Sequence, residues 1–259
     1  MRALLNLVRK KPLPIRDPVH AAVPELQRAS LAAVYYGQRM GGDFYDFLRV
    51  SPNRVLFGLL DVAGLLEENR DIVAAAKNTF RSVGTELFSK DDVNEAEAMM
   101  ELCLQLNRSI LQSAGSVRSC AAFAGCYDEN LGTVCYFNAG HTPGLVRDTT
   151  GVAELRATGL PLGLFSHTTC DASTVGLEHG AVLLLVSRGI VEAKCNREEF
   201  GLESVKTGFQ QSTADTAQDH CLSVLQRVQD FMCTPPTHND VTALALSRAP
   251  QPTRLAVSA

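Results

Sequence analysis

Long apolar runs, paired cysteine motifs and an excess of charge of either sign are all missing from this sequence. No segment reaches the roughly 18 consecutive apolar residues that suggest a membrane-spanning helix, and none of the eight cysteines belongs to a C-x-x-C pair. The formal net charge of -4 offers neither a basic surface for nucleic acid nor an acidic block. We therefore expect a cytoplasmic protein with reduced core cysteines, no transmembrane segment and no nucleic-acid partner.

The sequence divides into three parts, the first of which is rich in proline. Four prolines, at positions 12, 14, 18 and 24, make the first segment a poor site for regular structure. Hydrophobic residues make up 46% of the 259-residue chain and charged residues 20%, which suits one sizeable globular core. The sequence predicts an N-terminal arm or linker over residues 1–28, one folded domain over 29–248, and a C-terminal tail over 249–259.

Hydrophobic periodicity predicts strands in clusters that are separated by pairs of helices. Helical spacing predicts the helices Ile72–Phe88, Asp92–Ala114, Leu202–Gln210 and Asp215–Met232. Alternating or continuous apolar runs predict the strands Leu31–Tyr36, Phe44–Val50, Arg54–Val62, Val117–Tyr127, Thr133–Asn138, Gly144–Arg147, Val152–Arg156, Thr168–Leu177, Ala181–Val186 and Val241–Leu246. This order indicates an α+β fold with antiparallel sheets and helices outside, and it does not match a βαβ series.

Two aspartates at strand ends are the first candidates for chemistry, because the sequence contains no P-loop, no G-x-S-x-G elbow and no H-E-x-x-H pair. Asp43 follows two glycines at the start of a predicted strand. Asp61 ends an apolar strand and precedes a glycine turn. Hard divalent cations prefer oxygen ligands of this kind. A lone aspartate at a strand end is more often a turn or cap residue, so each motif by itself leaves both interpretations open.

Further segments follow these two aspartates in a fixed order. They are Asn138–Pro143, Gly159–Gly163, Ser187–Ala193, Phe200-Gly201 and Asn239–Thr242. As an ordered set, from about Ala29 to Leu246, the series resembles the stage II sporulation protein E-like branch of the PPM-type, metal-dependent Ser/Thr protein phosphatases.

The resemblance implies a four-layer α-β-β-α sandwich of two mainly antiparallel sheets flanked by helix pairs. It also implies a binuclear manganese or magnesium site, at which a water bridging the metals attacks phosphoserine or phosphothreonine directly. The implied partner is a phosphoserine or phosphothreonine regulatory protein of the anti-anti-sigma type.

Individual positions carry this resemblance unevenly. Asp43 and Asp61 match the catalytic metal-binding aspartates, and the backbone carbonyl of Val62 matches a further ligand. Arg188 stands where the family has an aspartate, and Asn239 replaces the first residue of a final acidic pair. A dication about 4 Å from an arginine charge is repelled by roughly 8 kcal/mol at an effective dielectric near 20. We therefore expect one Mn²⁺ or Mg²⁺ ion in place of two, with no ion as the alternative.

Four other residues near these motifs have secondary roles in the prediction. Asp240 is an auxiliary ligand only if its strand slips, because a slip of one residue turns a side chain to the other face. Arg188 has a second interpretation, as a guanidinium that grips phosphate in fork geometry, and a solvent-facing loop arginine is the alternative. His141 is expected to organise its loop, and Glu192 is expected to be structural.

Two hypotheses from different classes follow. The first is a PPM-type phosphoprotein phosphatase in bacterial-type signalling that is weak or depends on one metal. The second is a catalytically inactive pseudophosphatase, a regulatory module that binds a phosphoprotein or another partner without hydrolysing it.

Overall fold

The fold is available as a computed structural model that describes residues 15–16, 23–36, 42–64, 66–114, 119–168, 170–233 and 240–251. Its strands are β1 Ile15–Arg16, β2 Ala29–Tyr36, β3 Gly42–Ser51, β4 Arg54–Val62, β5 Cys120–Asp128, β6 Thr133–Ala139, β7 Gly144–Asp148, β8 Gly151–Leu155, β9 Ser173–Gly176, β10 Val182–Val186, β11 Lys194–Cys195, β12 Glu198–Glu199 and β13 Val241–Arg248. Its helices are α1 Leu66–Phe88, α2 Glu95–Ser113, α3 Arg188–Val191, α4 Gly201–Gln210 and α5 Ala217–Phe231.

Two antiparallel sheets form the centre of the molecule. One sheet has the strand order β1-β2-β13-β10-β7-β8 and the other has the order β3-β4-β5-β6-β9, while β11 and β12 form a separate hairpin. The helices α1 and α2 pack on the second sheet, and α4 and α5 pack on the first. The predicted four-layer α-β-β-α architecture is confirmed.

Strand β4 shows how the sequence produces this sandwich. Successive side chains of a strand point to opposite faces of the sheet. Leu56 and Leu60 accordingly pack in the core beneath α1 and α2. Val55, Phe57 and Leu59 pack in the core between the two sheets. Because both faces are covered, the strand reads as a nearly continuous apolar run, and its observed bounds equal the predicted ones.

The predicted core stripe of the second helix is also observed. Met99, Cys103, Leu106 and Ile110 of α2 are completely buried, as helical spacing requires for one face of an amphipathic helix. The helix begins at the cap Asn94, whose side chain accepts a hydrogen bond from the backbone N–H of Glu97. Such a cap stabilises a helix by about 1 kcal/mol.

Several short elements were not predicted. The single-turn helix α3 and the two-residue strands β1, β11 and β12 are too short to show a period in the sequence. Strand β1 lies within the predicted arm and pairs with β2. The predicted strand Thr168–Leu177 is shortened to β9, because Cys170 forms only an isolated bridge to Gly159.

The cysteine prediction is correct for six residues and wrong for two. Six cysteines are free and buried, namely Cys103, Cys120, Cys126, Cys135, Cys170 and Cys221. Cys195 and Cys233 instead form a disulfide, with their Cα atoms 4.8 Å apart. These two lie at the edge of a hairpin and just after a helix, outside the apolar core. Among the helices that the structure describes, none is long and apolar enough to span a membrane.

Candidate metal and phosphate site

The candidate site lies between the two sheets, at the end where β3 begins and β4 finishes. Asp43 and Asp61 are direct partners in the antiparallel register of these strands. Direct partners in an antiparallel pair project to the same face of the sheet. Both carboxylates are buried, with Asp43 3% exposed and Asp61 8% exposed.

The opposing sheet contributes Asp240 and Thr242. The Thr242 hydroxyl donates a hydrogen bond of 2.7 Å to Oδ2 of Asp43. The backbone N–H of Asp43 donates to Oδ2 of Asp240 over 3.2 Å. Asp240 therefore reaches the site without any slip of its strand, and the expectation that it needs one is wrong. The reason is the alternation along β13, in which Leu244 and Leu246 also face the other sheet.

Ser187 joins the end of β10 to the start of β13. Its backbone N–H donates to the Thr242 carbonyl over 2.9 Å. Its hydroxyl donates to the Asp240 carbonyl and accepts from the Thr242 backbone N–H, each over 3.0 Å. These three hydrogen bonds fix the position at which Arg188 leaves the sheet.

Arg188 is directed at Asp61. Its Nη2 donates to Oδ1 of Asp61 over 3.2 Å. The Asp61 side chain is 10% exposed, whereas the Arg188 side chain is 45% exposed. A guanidinium charge thus sits on the carboxylate where the family resemblance places a dication. Asn239, the other altered position, and Gly41 lie outside the described residues.

The electrostatics of the site are dominated by like charge. Burial raises the pKa of the Asp43 carboxyl well above its usual range, and the neighbouring Asp61 and Asp240 raise it further. The hydrogen bond from the Thr242 hydroxyl opposes this shift. A group in this environment gains stability by holding a proton or by facing a cation. Arg188 supplies a cation to Asp61, and Asp43 has the hydroxyl of Thr242.

A glycine keeps the carbonyl of Val62 open. A Cβ atom added at Gly42 would lie 2.7 Å from the Val62 carbonyl oxygen, closer than real Cβ contacts allow. Next to this carbonyl, Nδ2 of Asn69 donates to the Ala63 carbonyl over 3.0 Å. Its Oδ1 is buried without a hydrogen-bond partner among the described residues. Oxygen donors therefore collect on this side of Asp43 and Asp61.

The side chains of the candidate site set its formal charge. Three carboxylates and one guanidinium leave a formal charge of -2, equal and opposite to one dication. Carboxylate and carbonyl oxygens are the ligands that Mg²⁺ and Mn²⁺ prefer. Within the described ranges, no three acidic, histidine or cysteine side chains stand in a ready metal-binding arrangement.

His141 holds its loop together. Its backbone N–H donates to Oδ1 of Asn138 over 2.8 Å. The Thr142 hydroxyl donates to the Val186 carbonyl, so Nδ1 of His141 carries the hydrogen that it shares with the Thr142 carbonyl, 3.0 Å away. Burial lowers the pKa of His141. Glu192 is exposed and forms the C-cap of α3.

Two residues of the site were not singled out from the sequence. Thr242 hydrogen-bonds Asp43, and Ser187 organises both strands. Each is a member of a motif that was identified, and Thr242 stands two residues after Asp240, the spacing that places both on one strand face. That spacing is the signal that could have found Thr242. The hydroxyl of Ser187 gives no comparable signal.

Comparison with known proteins shows which family has this sequence pattern and fold. Residues 51–249 match the family described as Stage II sporulation protein E (SpoIIE). The phosphoserine phosphatase RsbU of Bacillus subtilis is 22% identical over 233 residues, which is 87% of this chain and 65% of RsbU. The chain thus spans just under two thirds of the length of that curated relative.

Solved structures of other proteins show the same fold. The RsbU and RsbW domains of Rv1364c from Mycobacterium tuberculosis superpose with a TM-score of 0.71 and 25% identity, over 90% of this chain and 65% of that one. The PP2C phosphatase domain of SpoIIE from Bacillus subtilis gives a TM-score of 0.67 at 17% identity, over 87% of this chain and 63% of that chain, and shows the fold alone. The chain belongs to the SpoIIE family of PPM-type phosphatase domains.

Proposed function

We propose that this chain is a weak phosphoserine or phosphothreonine protein phosphatase whose site holds one divalent cation, Mn²⁺ or Mg²⁺. The observation that carries the proposal is the contact of Arg188 with Asp61 opposite the Asp43–Asp240 pair. The three carboxylates and the arginine together carry a formal charge of -2, which one divalent cation balances. A second dication would face the arginine directly and be repelled.

In this proposal the residues of the site have separate roles in binding the ion and orienting the phosphoryl group. Asp43, Asp61, Asp240 and the Val62 carbonyl would hold the ion, which when bound neutralises phosphate charge and lowers the pKa of water. Arg188 has one contact to Asp61 and a half-exposed guanidinium. A guanidinium offers several N–H donors in a plane and binds phosphate oxygens in pairs. Arg188 therefore orients the phosphoryl group when it turns from Asp61.

The substrate we propose is a phosphorylated regulatory protein of the anti-anti-sigma type. The relative RsbU is named a phosphoserine phosphatase. In the Mycobacterium tuberculosis protein, an RsbU domain shares its chain with an RsbW domain. Both names support a role for this chain in signalling through phosphoproteins.

A second candidate function is a module that binds phosphoprotein without hydrolysis. The same contact favours it, because Arg188 neutralises Asp61 without any ion and keeps N–H groups exposed for phosphate. In this alternative Asp43 retains its proton, which agrees with the raised pKa of that buried carboxyl.

Phosphate release separates the two functions. Release from a phosphoserine protein and from an aryl phosphate is measured while Mn²⁺ is titrated. The phosphatase predicts slow turnover that follows a single-site Mn²⁺ curve and disappears in Asp61→Ala. The matched control Asp171→Ala, at an exposed aspartate, should keep its activity. Phosphoprotein binding without release at any Mn²⁺ concentration would establish the binding module.

A further inference from the structure

A cavity of about 350 Å³ lies at the opposite end of the sandwich from Asp43 and Asp61. The turn between β3 and β4, the turn between β5 and β6, and the last residue of β13 all contribute to it. Its walls are polar side chains, among them Gln27, Arg28, Asn53, Tyr127, Asn130 and Arg248. Small-molecule sites have volumes of roughly 300–1,000 Å³. The cavity is therefore large enough for a small ligand, and its walls suit a polar one.

The charged side chains of the cavity leave it positive. Arg28 and Arg248 are its two arginines, and Glu129 is its carboxylate. Nη2 of Arg49, from outside the lining, donates to Oε1 of Glu129 over 2.7 Å. This ion pair sums to zero, so with His179 counted as neutral the two arginines leave an excess of +2. A charge of this sign favours an anionic ligand.

The guanidinium of Arg248 is held in place at the wall. Its Nη1 donates to the Leu177 carbonyl over 2.7 Å. It packs against Gly132, where an added Cβ would overlap the guanidinium. Burial raises the pKa of Tyr127, and the charge of the neighbouring Arg248 opposes that shift. Nε and Nη2 of Arg248 donate to no group among the described residues. A fixed guanidinium with unused N–H groups loses little freedom when it binds an anion.

We propose that this cavity binds a small phosphate monoester through Arg28 and Arg248. A phosphate monoester carries about two negative charges at pH 7, which the two arginine charges balance. Guanidinium groups bind phosphate oxygens in pairs. The side-chain amides of Asn53 and Asn130 supply donors and acceptors for the hydroxyl groups of the ligand. The cavity is separate from the proposed metal site, so this ligand binds without a divalent cation.

Isothermal titration of the full chain with glycerol phosphate, in the absence of divalent cations, tests the proposal. We expect binding at millimolar concentration or below, and none of uncharged glycerol. Arg28→Ala should weaken the affinity at least about tenfold, the effect of losing a hydrogen bond to a charged group. Arg248→Lys should weaken it similarly, because lysine keeps the charge and lacks the planar fork. The matched control Arg156→Ala, whose side chain is 81% exposed outside the cavity, should bind as wild type does.

Arg28 keeps the test independent of folding. Its side chain is exposed and makes no hydrogen bond to another described residue. Arg28→Ala should therefore have the urea midpoint of wild type, and a lower affinity in that variant reports the loss of a ligand contact. Equal affinity of wild type, Arg28→Ala and Arg248→Lys, or no binding of glycerol phosphate at millimolar concentration, overturns the proposal.

Amide chemical shifts locate the ligand. Addition of glycerol phosphate should shift the amide resonances of Asn53, Asn130 and Gly180, and it should leave that of Gly189, next to Arg188, unchanged. Shifts confined to Gly189 would place the ligand at the other end of the sandwich and overturn the proposal. Succinate carries its two charges on separate carboxylates and should bind more weakly. Equal affinity for succinate would overturn the assignment of the ligand as a phosphate.

Discussion

Asp43 and Asp46 lie three residues apart on β3, and their carboxylates have opposite electrostatic environments. Both are buried, at 3% and 2% exposure. Asp46 points to the helical layer, where Nε and Nη2 of Arg81 donate to its two oxygens over 2.6 and 2.7 Å. Asp43 points to the other sheet, where it meets Asp61, Asp240 and the hydroxyl of Thr242.

The difference shows that burial alone does not mark a functional carboxylate. A buried charge that is fully paired by an arginine holds two layers together, as Asp46 and Arg81 do for β3 and α1. A buried charge surrounded by like charges destabilises the fold, and it persists where the cost is offset by binding. Asp43 is of the second kind. The contacts of these carboxylates with arginine also differ, because Arg81 donates two hydrogen bonds to Asp46 and Arg188 donates one to Asp61.

The largest effect is expected from Arg81→Ala. This change leaves the buried Asp46 carboxylate without its bidentate partner. Because the Arg81 side chain is itself 41% exposed, water replaces part of the lost contact, and we expect a loss of about 2 kcal/mol of unfolding free energy. Urea denaturation measures the loss. The control Arg70→Ala, at an exposed arginine of the same helix, should change stability by less than about 0.5 kcal/mol. Equal losses in the two variants would remove the structural role of Asp46.

A change of opposite sign is expected from Asp43→Asn. Because the pKa of Asp43 is raised in the folded state, that state holds its proton to a higher pH than the unfolded chain does. Ionising Asp43 therefore lowers stability as pH rises from the ordinary range of a carboxyl, near 4, through the raised pKa. The variant lacks this loss and should be more stable than wild type at pH 8 without metal.

Urea denaturation from pH 5 to pH 8 checks this sign. The gain of Asp43→Asn over wild type should grow with pH and shrink when Mn²⁺ is added. Asp46→Asn is the matched comparison, and it should lose stability because it weakens the contact with Arg81. A loss of stability in Asp43→Asn at pH 8 would show that Asp43, like Asp46, is a structural carboxylate.

Gly42→Ala should weaken cation binding and also lower stability, because the added Cβ would lie 2.7 Å from the Val62 carbonyl oxygen and 2.9 Å from the Val62 Cβ. The added Cβ would crowd the Val62 carbonyl, the oxygen proposed to face the ion. We expect Mn²⁺ affinity to fall about tenfold, the scale seen when the support of a ligand is disturbed. In the control Gly176→Ala, the added Cβ would meet only a side-chain oxygen at 3.9 Å. Isothermal titration of both variants measures the difference, and equal affinities would exclude the Val62 carbonyl as a ligand.

The smallest effect on stability is expected from Arg188→Ala. Its side chain is 45% exposed, and partly exposed ion pairs contribute less than about 1 kcal/mol. The same variant frees Asp61 and should bind Mn²⁺ more tightly than wild type. Denaturation and metal titration on one preparation test both statements. A stability loss as large as that of Arg81→Ala would make Arg188 a structural residue.

The layers of this fold could be predicted because the long elements are marked either by helical spacing, as in α2, or by a continuous apolar run, as in β4. The burial patterns of strand β4 and helix α2 can be read from the order of their apolar residues. The family resemblance implied that two sheets pack face to face. The contacts of Arg188 with Asp61 and of Thr242 with Asp43 join residues 127 and 199 positions apart. Contacts of this kind depend on how the two sheets face each other, which local periodicity does not encode.

The orientation of Asp240 can be predicted from the sequence. The alternation of Leu244 and Leu246 along β13 places Asp240 on the face of the opposing sheet. The resemblance instead assigns the ligand position to Asn239. The Cys195–Cys233 disulfide had no signal of its own, because sequence alone does not define cysteine connectivity.

Mn²⁺ stoichiometry, measured by native mass spectrometry together with isothermal titration, tests the one-ion site most directly. Wild type should bind one Mn²⁺ ion. The double variant Arg188→Asp, Asn239→Asp, which restores both acidic positions of the family, should bind two. Two ions in the wild-type protein, or no second ion in the double variant, would contradict the assignment of Arg188 and Asn239 as the positions that removed a metal.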